Sequence, residues 1–229
     1  MRSIYVVLPE AETLVSKVSK VLTRYPYSHI TICLEDELEV FYSFSRLRND
    51  APLISGFAKE YRSHLASKQG ARLHCKIFKI PLSERDYHSI CFFIKKIRCD
   101  DTILFNYLSM LTLPVLGGFP VRKTLNCLSF AALVLQRVST LTLPKSPYKF
   151  SPKDFDEWLS KEYFYFEGYL NTDFDYEDDH YFDQTPVTKR IKISASLIQE
   201  YMCRLLRSKV SKNYKSMVKE LAENKGDAW

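Results

Sequence analysis

No run of 18 or more apolar residues occurs in this chain, which argues against a membrane-spanning helix. The N-terminus, MRSIYVVLPEAETL, lacks the long apolar stretch and small-residue cleavage site of an export signal. A cytoplasmic location is therefore expected. Six cysteines are scattered at positions 33, 75, 91, 99, 127 and 203, with no CxxC pair, so neither a zinc ribbon nor a redox motif is indicated and reduced thiols are expected. There is no HExxH, no phosphate-binding glycine loop and no GxSxG elbow. Metal hydrolysis and nucleotide binding lose their support, and neither a cofactor nor a metal is expected. Internal repeats and low-complexity segments are also missing.

What is present is a globular composition. The 229 residues are 46% hydrophobic and 26% charged, enough for one sizeable core with an appendage. Fifteen Tyr and fifteen Phe point to a core with aromatic walls. The charge is unevenly spread. Residues 187–229 carry ten Lys/Arg against four Asp/Glu, which accounts for the whole net charge of +6. Just before them, NTDFDYEDDHYFD (171–183) holds six acidic side chains. This alternation divides the chain into a domain over 1–170, an acidic linker over 171–186 and a basic helical extension over 187–229. The extension is either a solvated helix or an arm for an anionic partner. A pI of 8.9 without a recognition motif argues against nucleic acid.

Periodicity predicts the elements. Residues 4–8 read as a strand, and 13–22 as a helix with Leu14, Val18, Val21 and Leu22 on one face and Thr13 as N-cap. HITICL (29–34) and LEVFYSF (38–44) read as a hairpin turning at 35–37. Residues 46–70 read as polar and irregular. A strand over 73–80 precedes a helix over 83–97, with Ser83 and Asp86 resembling a capping box. Residues 103–120 read as a short helix plus loop, broken by Pro114, Gly117, Gly118 and Pro120. NCLSFAALVLQRV (126–138) is the strongest buried-helix signal. A short helix over 152–160, a strand over 163–169 and an amphipathic helix over 196–207, with Ile198, Met202 and Leu205 on one face, complete the reading.

Two residues stand out chemically. Of the five histidines, His64, His88 and His180 read as surface residues, and His74 could face either side of its strand. His29 opens a strand directly after a turn, where a catalytic base is commonly mounted. Cys127 begins the apolar helix, with Asn126 as a possible N-cap. A helix N-terminus favours an anion, and the thiolate is the nucleophilic form of cysteine. The free N–H groups there could also stabilise an oxyanion in acyl transfer. A cysteine in this place is more often a small packed residue, and a histidine at a strand start more often scaffolding. Spacing alone leaves the pair open.

The order of these segments resembles the circularly permuted papain-like cysteine hydrolases of the NlpC type, particularly a Gram-positive bacterial branch. The resemblance runs from TLVSKVSKVLTRYPYSHITICLEDELEVFYSFSRL through PLISGFAKE, HCKIFKIPLSERDY and LNCLSFAALVLQ to SPKDFDEWL and YFYFEGYL, about residues 1–170. In the permuted branch the His strand precedes the Cys helix, as His29 precedes Cys127 here. The resemblance implies Cys127 as nucleophile and His29 as base. Leu128 departs from the Ser that is common after the family's Cys. It also implies an α+β fold in which an antiparallel sheet packs against the nucleophile helix, here with a C-terminal helical extension.

A hairpin turning around Asp36 sets His29 opposite Ser43, so Ser43 is the expected orienter of the base. A one-residue slip would substitute Tyr42, and Glu39 is the acidic alternative. The segments 46–70 and 105–122 should wall the cleft, with Phe57, Phe105, Tyr107, Leu116 and Phe119 contributing an apolar lining or a capped core. The expected function is hydrolysis or acyl transfer at an amide or ester, on a peptide, peptidoglycan-like or acyl-containing substrate. The alternative is a weakly active or inactive papain-like binding module whose basic tail holds an acidic partner.

Overall fold

The computed structural model describes residues 2–10, 25–66, 72–116, 118–172 and 180–210. Its class is mixed α+β. Six strands form one antiparallel sheet in the order β4-β3-β2-β1-β5-β8. They are β1 (Arg2–Pro9), β2 (Thr31–Cys33), β3 (Phe41–Arg46), β4 (Ser55–Glu60), β5 (Leu73–Leu82) and β8 (Phe164–Leu170). Two short strands, β6 (Leu104–Phe105) and β7 (Thr124–Leu125), pair in parallel apart from it. The helices are α1 (Arg62–Ala66), α2 (Glu84–Arg98), α3 (Tyr107–Leu116), α4 (Cys127–Leu135), α5 (Pro152–Leu159) and α6 (Val187–Val210). The helix expected over 13–22 lies outside the described residues.

The centre of the sheet is β1 against β5, paired over the full length of β1 from Arg2↔Leu82 to Pro9↔Cys75. Both strands alternate between two buried clusters. Ile4, Val6, Leu8, Phe78 and Ile80 enter the larger cluster, and Tyr5, Val7, Cys75 and Ile77 the smaller. Burial on both faces explains why IYVVL reads as a continuous apolar run.

Helix α4 fills the middle of the larger cluster. Residues Leu128 to Leu135 are all buried, an apolar surface around the whole circumference that only an interior helix can have. Phe130 is its anchor, with ring centroids 5.8 Å from Phe44, 5.9 Å from Phe57 and 6.3 Å from Phe93. Phe57 therefore serves the core, the second of the two roles open to it on sequence grounds. Helix α2 adds Ile90, Phe93, Ile94 and Ile97. Its N-cap is Ser83, whose hydroxyl accepts the Asp86 N–H at 3.1 Å. Phe150, just before α5, stacks on Phe155, and Trp158 near the end of the helix tilts against both.

Three expectations need correction. The described part of the stretch expected to be irregular, 46–66, holds an edge strand, β4, and a short helix, α1. The buried residues of β4 are Ser55, Ala58 and Glu60, small or polar side chains that give no hydrophobic alternation to read. Strand β3 begins at Phe41 rather than residue 38, because Leu38 adopts a left-handed φ of 55° and prolongs the turn. A leucine seldom does so; here its burial among Tyr5, Val7 and Phe41 holds it. Helix α3 runs past Pro114 to Leu116, giving up one backbone hydrogen bond.

Candidate functional site

The start of α4 is fixed by its own sequence. Asn126 is the N-cap, with extended backbone, and its Oδ1 accepts the Ser129 N–H at 2.8 Å. The Ser129 hydroxyl in turn accepts the Asn126 N–H at 2.9 Å, closing a capping box. Cys127 is thus the first helical residue. The N–H groups of Cys127 and Leu128 lie before the first i→i−4 bond, which Phe130 makes to the Asn126 carbonyl. Among the described residues neither meets a protein acceptor. Two backbone donors are therefore left over in the helical turn that carries the sulfur. The Leu128 side chain is buried in the core, on the packed side of the helix.

His29 is delivered by a pinned segment. The Tyr25 hydroxyl donates to Asp156 at 2.5 Å and the Tyr27 hydroxyl to Glu167 at 2.6 Å. Tyr27 also stacks on His74. Burial first, and the neighbouring carboxylate second, push both phenols upward in pKa, so they remain donors. Ile30 and Ile32 then enter the core and anchor the chain on the far side of the imidazole.

The imidazole lies between a carboxylate and a thiol. Its Nε2 is 3.1 Å from Glu60 Oε2, and the Cys127 side chain is near enough to act on its charge. The sulfur and the imidazole are therefore neighbours. The His29 side chain is 16% exposed and that of Glu60 5%. Burial alone would lower the His29 pKa, but the Glu60 carboxylate and then Cys127 outweigh it and raise it to about 10. Burial alone would likewise raise Glu60, but the His29 charge, the His29 hydrogen bond and two serine hydroxyls hold it down at about 2. Both directions favour an imidazolium–carboxylate pair.

Ser43 is not where the hairpin argument places it. The observed register pairs Ile32 with Tyr42 and Cys33 with Phe41. Continued along the chain, it sets His29 level with Ser45, two residues beyond Ser43. A two-residue shift preserves the face, so Ser43 still points into the site but acts on the carboxylate. Ser43 donates to Glu60 Oε2 at 2.5 Å and Ser45 to Glu60 Oε1 at 2.7 Å. Tyr42 is on the opposite face, stacked on Phe57. Glu39 lies by Glu35 at the turn, away from His29.

The group against His29 is thus Glu60, which the sequence reading missed. The signal was present in SGFAKE as a lone acid ending a segment of small residues, but without an expected strand there was no register to carry it to His29.

The other histidines are elsewhere. His88 and His180 are exposed. His64, expected at the surface, is instead buried on α1, its ring 4.1 Å from that of Tyr181. His74 is partly exposed, 3.1 Å from Glu10. Among the described residues no three His, Cys, Asp or Glu side chains form a metal-binding group, and no helix is long and apolar enough to cross a membrane. No family model, no curated protein and no solved structure matches the chain.

Proposed function

We propose that this protein is a cysteine-dependent hydrolase or acyltransferase acting on an amide or ester, with a permuted papain-like arrangement in which the base precedes the nucleophile. The observation that carries the reading is the His29 imidazole held between Glu60 and Cys127, at the start of a capped helix. A bare cysteine and histidine could be incidental packing. A buried carboxylate with two serine donors fixing the far nitrogen is the arrangement a general base requires.

The chemistry follows from the placement. In the reactive pair His29 holds the proton given up by Cys127, and the sulfur attacks the carbonyl carbon as a thiolate. The Cys127 and Leu128 N–H groups face the oxygen that becomes negative. His29 returns the proton to the departing amine or alcohol as the C–N or C–O bond breaks, leaving a thioester. Water or an acceptor nucleophile then attacks that thioester, giving its proton to His29, and the thiol re-forms. Glu60 stabilises the imidazolium and fixes its ring. Ser43 and Ser45 hold Glu60 and are positioning residues.

The test is peptide-resolved labelling with iodoacetamide and with an activated acyl ester. Cys127 should react ahead of the exposed Cys99 and Cys203, and Cys127→Ala should remove turnover of the ester. His29→Ala should slow labelling of Cys127 on the order of 10²-fold or more. Preferential labelling of Cys99 or Cys203, or an undiminished Cys127 rate in His29→Ala, would overturn the assignment.

A further inference from the structure

Helix α6 is attached to the domain by one side only. Ser194 and Tyr201 are buried, and Leu197 and Leu205 pack with Tyr201 against Leu104 and Val121. The Tyr201 hydroxyl donates to Asn106 Oδ1 at 3.0 Å and accepts the Leu108 N–H at 3.0 Å. Arg190 donates to the Asp50 carbonyl at 2.7 Å and Arg204 to the Lys123 carbonyl at 2.8 Å. The helix is firmly docked, yet a second apolar stripe faces away. Val187, Ile191, Ile198, Met202 and Leu206 are 42 to 63% exposed. At about 100° per residue they fall in one arc, centred roughly a quarter of the circumference from the docked side and roughly 28 Å long.

The outer border of this stripe is basic. Lys189, Lys192 and Arg207 lie beyond it, exposed and without an ion pair among the described residues. The sole acid of α6, Glu200, is bound to Arg204. Six Lys/Arg against one Glu over 187–210 make the helix strongly positive.

Three occupants could cover such a stripe. A second copy would set two helices of the same sign side by side, with no acidic border to answer the basic one. An acidic protein would be expected to meet aromatic anchors and few lysines, because protein interfaces favour the former and deplete the latter. Here the stripe is wholly aliphatic or thioether, and lysines edge it. A lipid surface suits both features: the aliphatic side chains enter the acyl boundary while lysine and arginine stems reach up to phosphate. We propose that α6 lies flat on an anionic phospholipid surface, carrying the domain with it. The proposal does not depend on the chemistry assigned to Cys127.

The experiment is co-sedimentation of the full chain with vesicles of phosphatidylcholine alone or of phosphatidylcholine with phosphatidylglycerol. Binding is expected to the anionic vesicles, weakened by salt, and not to the neutral ones. Ile198→Asp with Met202→Asp should reduce the bound fraction at least about tenfold, and Lys189→Glu with Lys192→Glu by roughly fivefold per charge. All four positions are exposed, so an unchanged unfolding temperature and unchanged Cys127 labelling will show that the variants fold. Several results would overturn the proposal: no binding to anionic vesicles, equal binding to both vesicle types, or full binding by the Ile198→Asp/Met202→Asp variant. So would a dimer in solution that these substitutions dissolve, which would give the stripe to a second copy, or stronger retention by soluble polyglutamate than by vesicles.

Discussion

Helices α4 and α6 bury their apolar residues in opposite ways. Helix α4 is nine residues long and enclosed on all sides, with a capping box at its start and Phe130 between three aromatic neighbours. Helix α6 has 24 residues, docks along one line and leaves a second line of hydrocarbon in solvent. The first spends its apolar surface on the core and offers only its N-terminal end to the surroundings. The second has more apolar arc than its docking side uses. The proposed reactivity and the proposed surface attachment thus sit on different helices.

Substitutions should separate the two helices sharply. Phe130→Ala in α4 should destabilise the fold by about 3–5 kcal/mol, since the rings of Phe44, Phe57 and Phe93 cannot close on the void. Ile198→Ala in α6 also removes hydrocarbon, half as many carbons, but should change stability by no more than about 0.5 kcal/mol. Denaturant titration of both variants checks the pair; similar losses would mean that the outer stripe of α6 is covered within the monomer.

The site at the mouth of α4 comes next in size. Glu60→Ala breaks a buried pair and leaves Ser43 and Ser45 without their acceptor, at an expected cost of about 3 kcal/mol. The same pair sets a pH window. Glu60 is depressed, so its contribution is complete above its ordinary 4.5 and is lost as pH falls toward about 2. His29 is raised, so its contribution is complete below its ordinary 6.5 and is lost as pH rises toward about 10. Stability from this pair should therefore be greatest between about 4.5 and 6.5, and Glu60→Gln should flatten both slopes. A urea series at several pH values reads this directly.

Smaller effects belong to the helix ends and anchors. Asn126→Ala should cost about 1 kcal/mol through the lost cap. It should also slow Cys127 labelling, because the first turn that presents the sulfur would fray. Tyr201→Phe, on the docked line of α6, should cost about 1 kcal/mol and leave Cys127 labelling unchanged.

Much of this arrangement was legible where local chemistry decides the structure. Ser83 announced the start of α2, and the uninterrupted apolar run after Asn126 announced a buried helix with Cys127 at its head. The strand after His29 was evident from its β-branched residues. What escaped the reading was set by tertiary context. Leu38 turns through a left-handed conformation because the core around it compensates, and that displaced the hairpin register by two residues. Glu60 is a buried acid whose partners are Ser43, Ser45 and His29, so no periodicity marks its strand. His64 looks like a surface residue in RSHLA and becomes buried through Tyr181, far along the chain. Helix α6 begins with the basic extension at Val187, nine residues before the amphipathic stretch expected over 196–207.

The proposed base and its support all come early in the chain. His29, Ser43, Ser45 and Glu60 precede β5, whereas Cys127 arrives only after α2 and the exposed turn at Asp100–Thr102. A chain cut at that turn would place imidazole and carboxylate in one fragment and sulfur in the other. Each half would lack one reactant of the proposed mechanism, so any enhanced reactivity of Cys127 would depend on the two halves being held together.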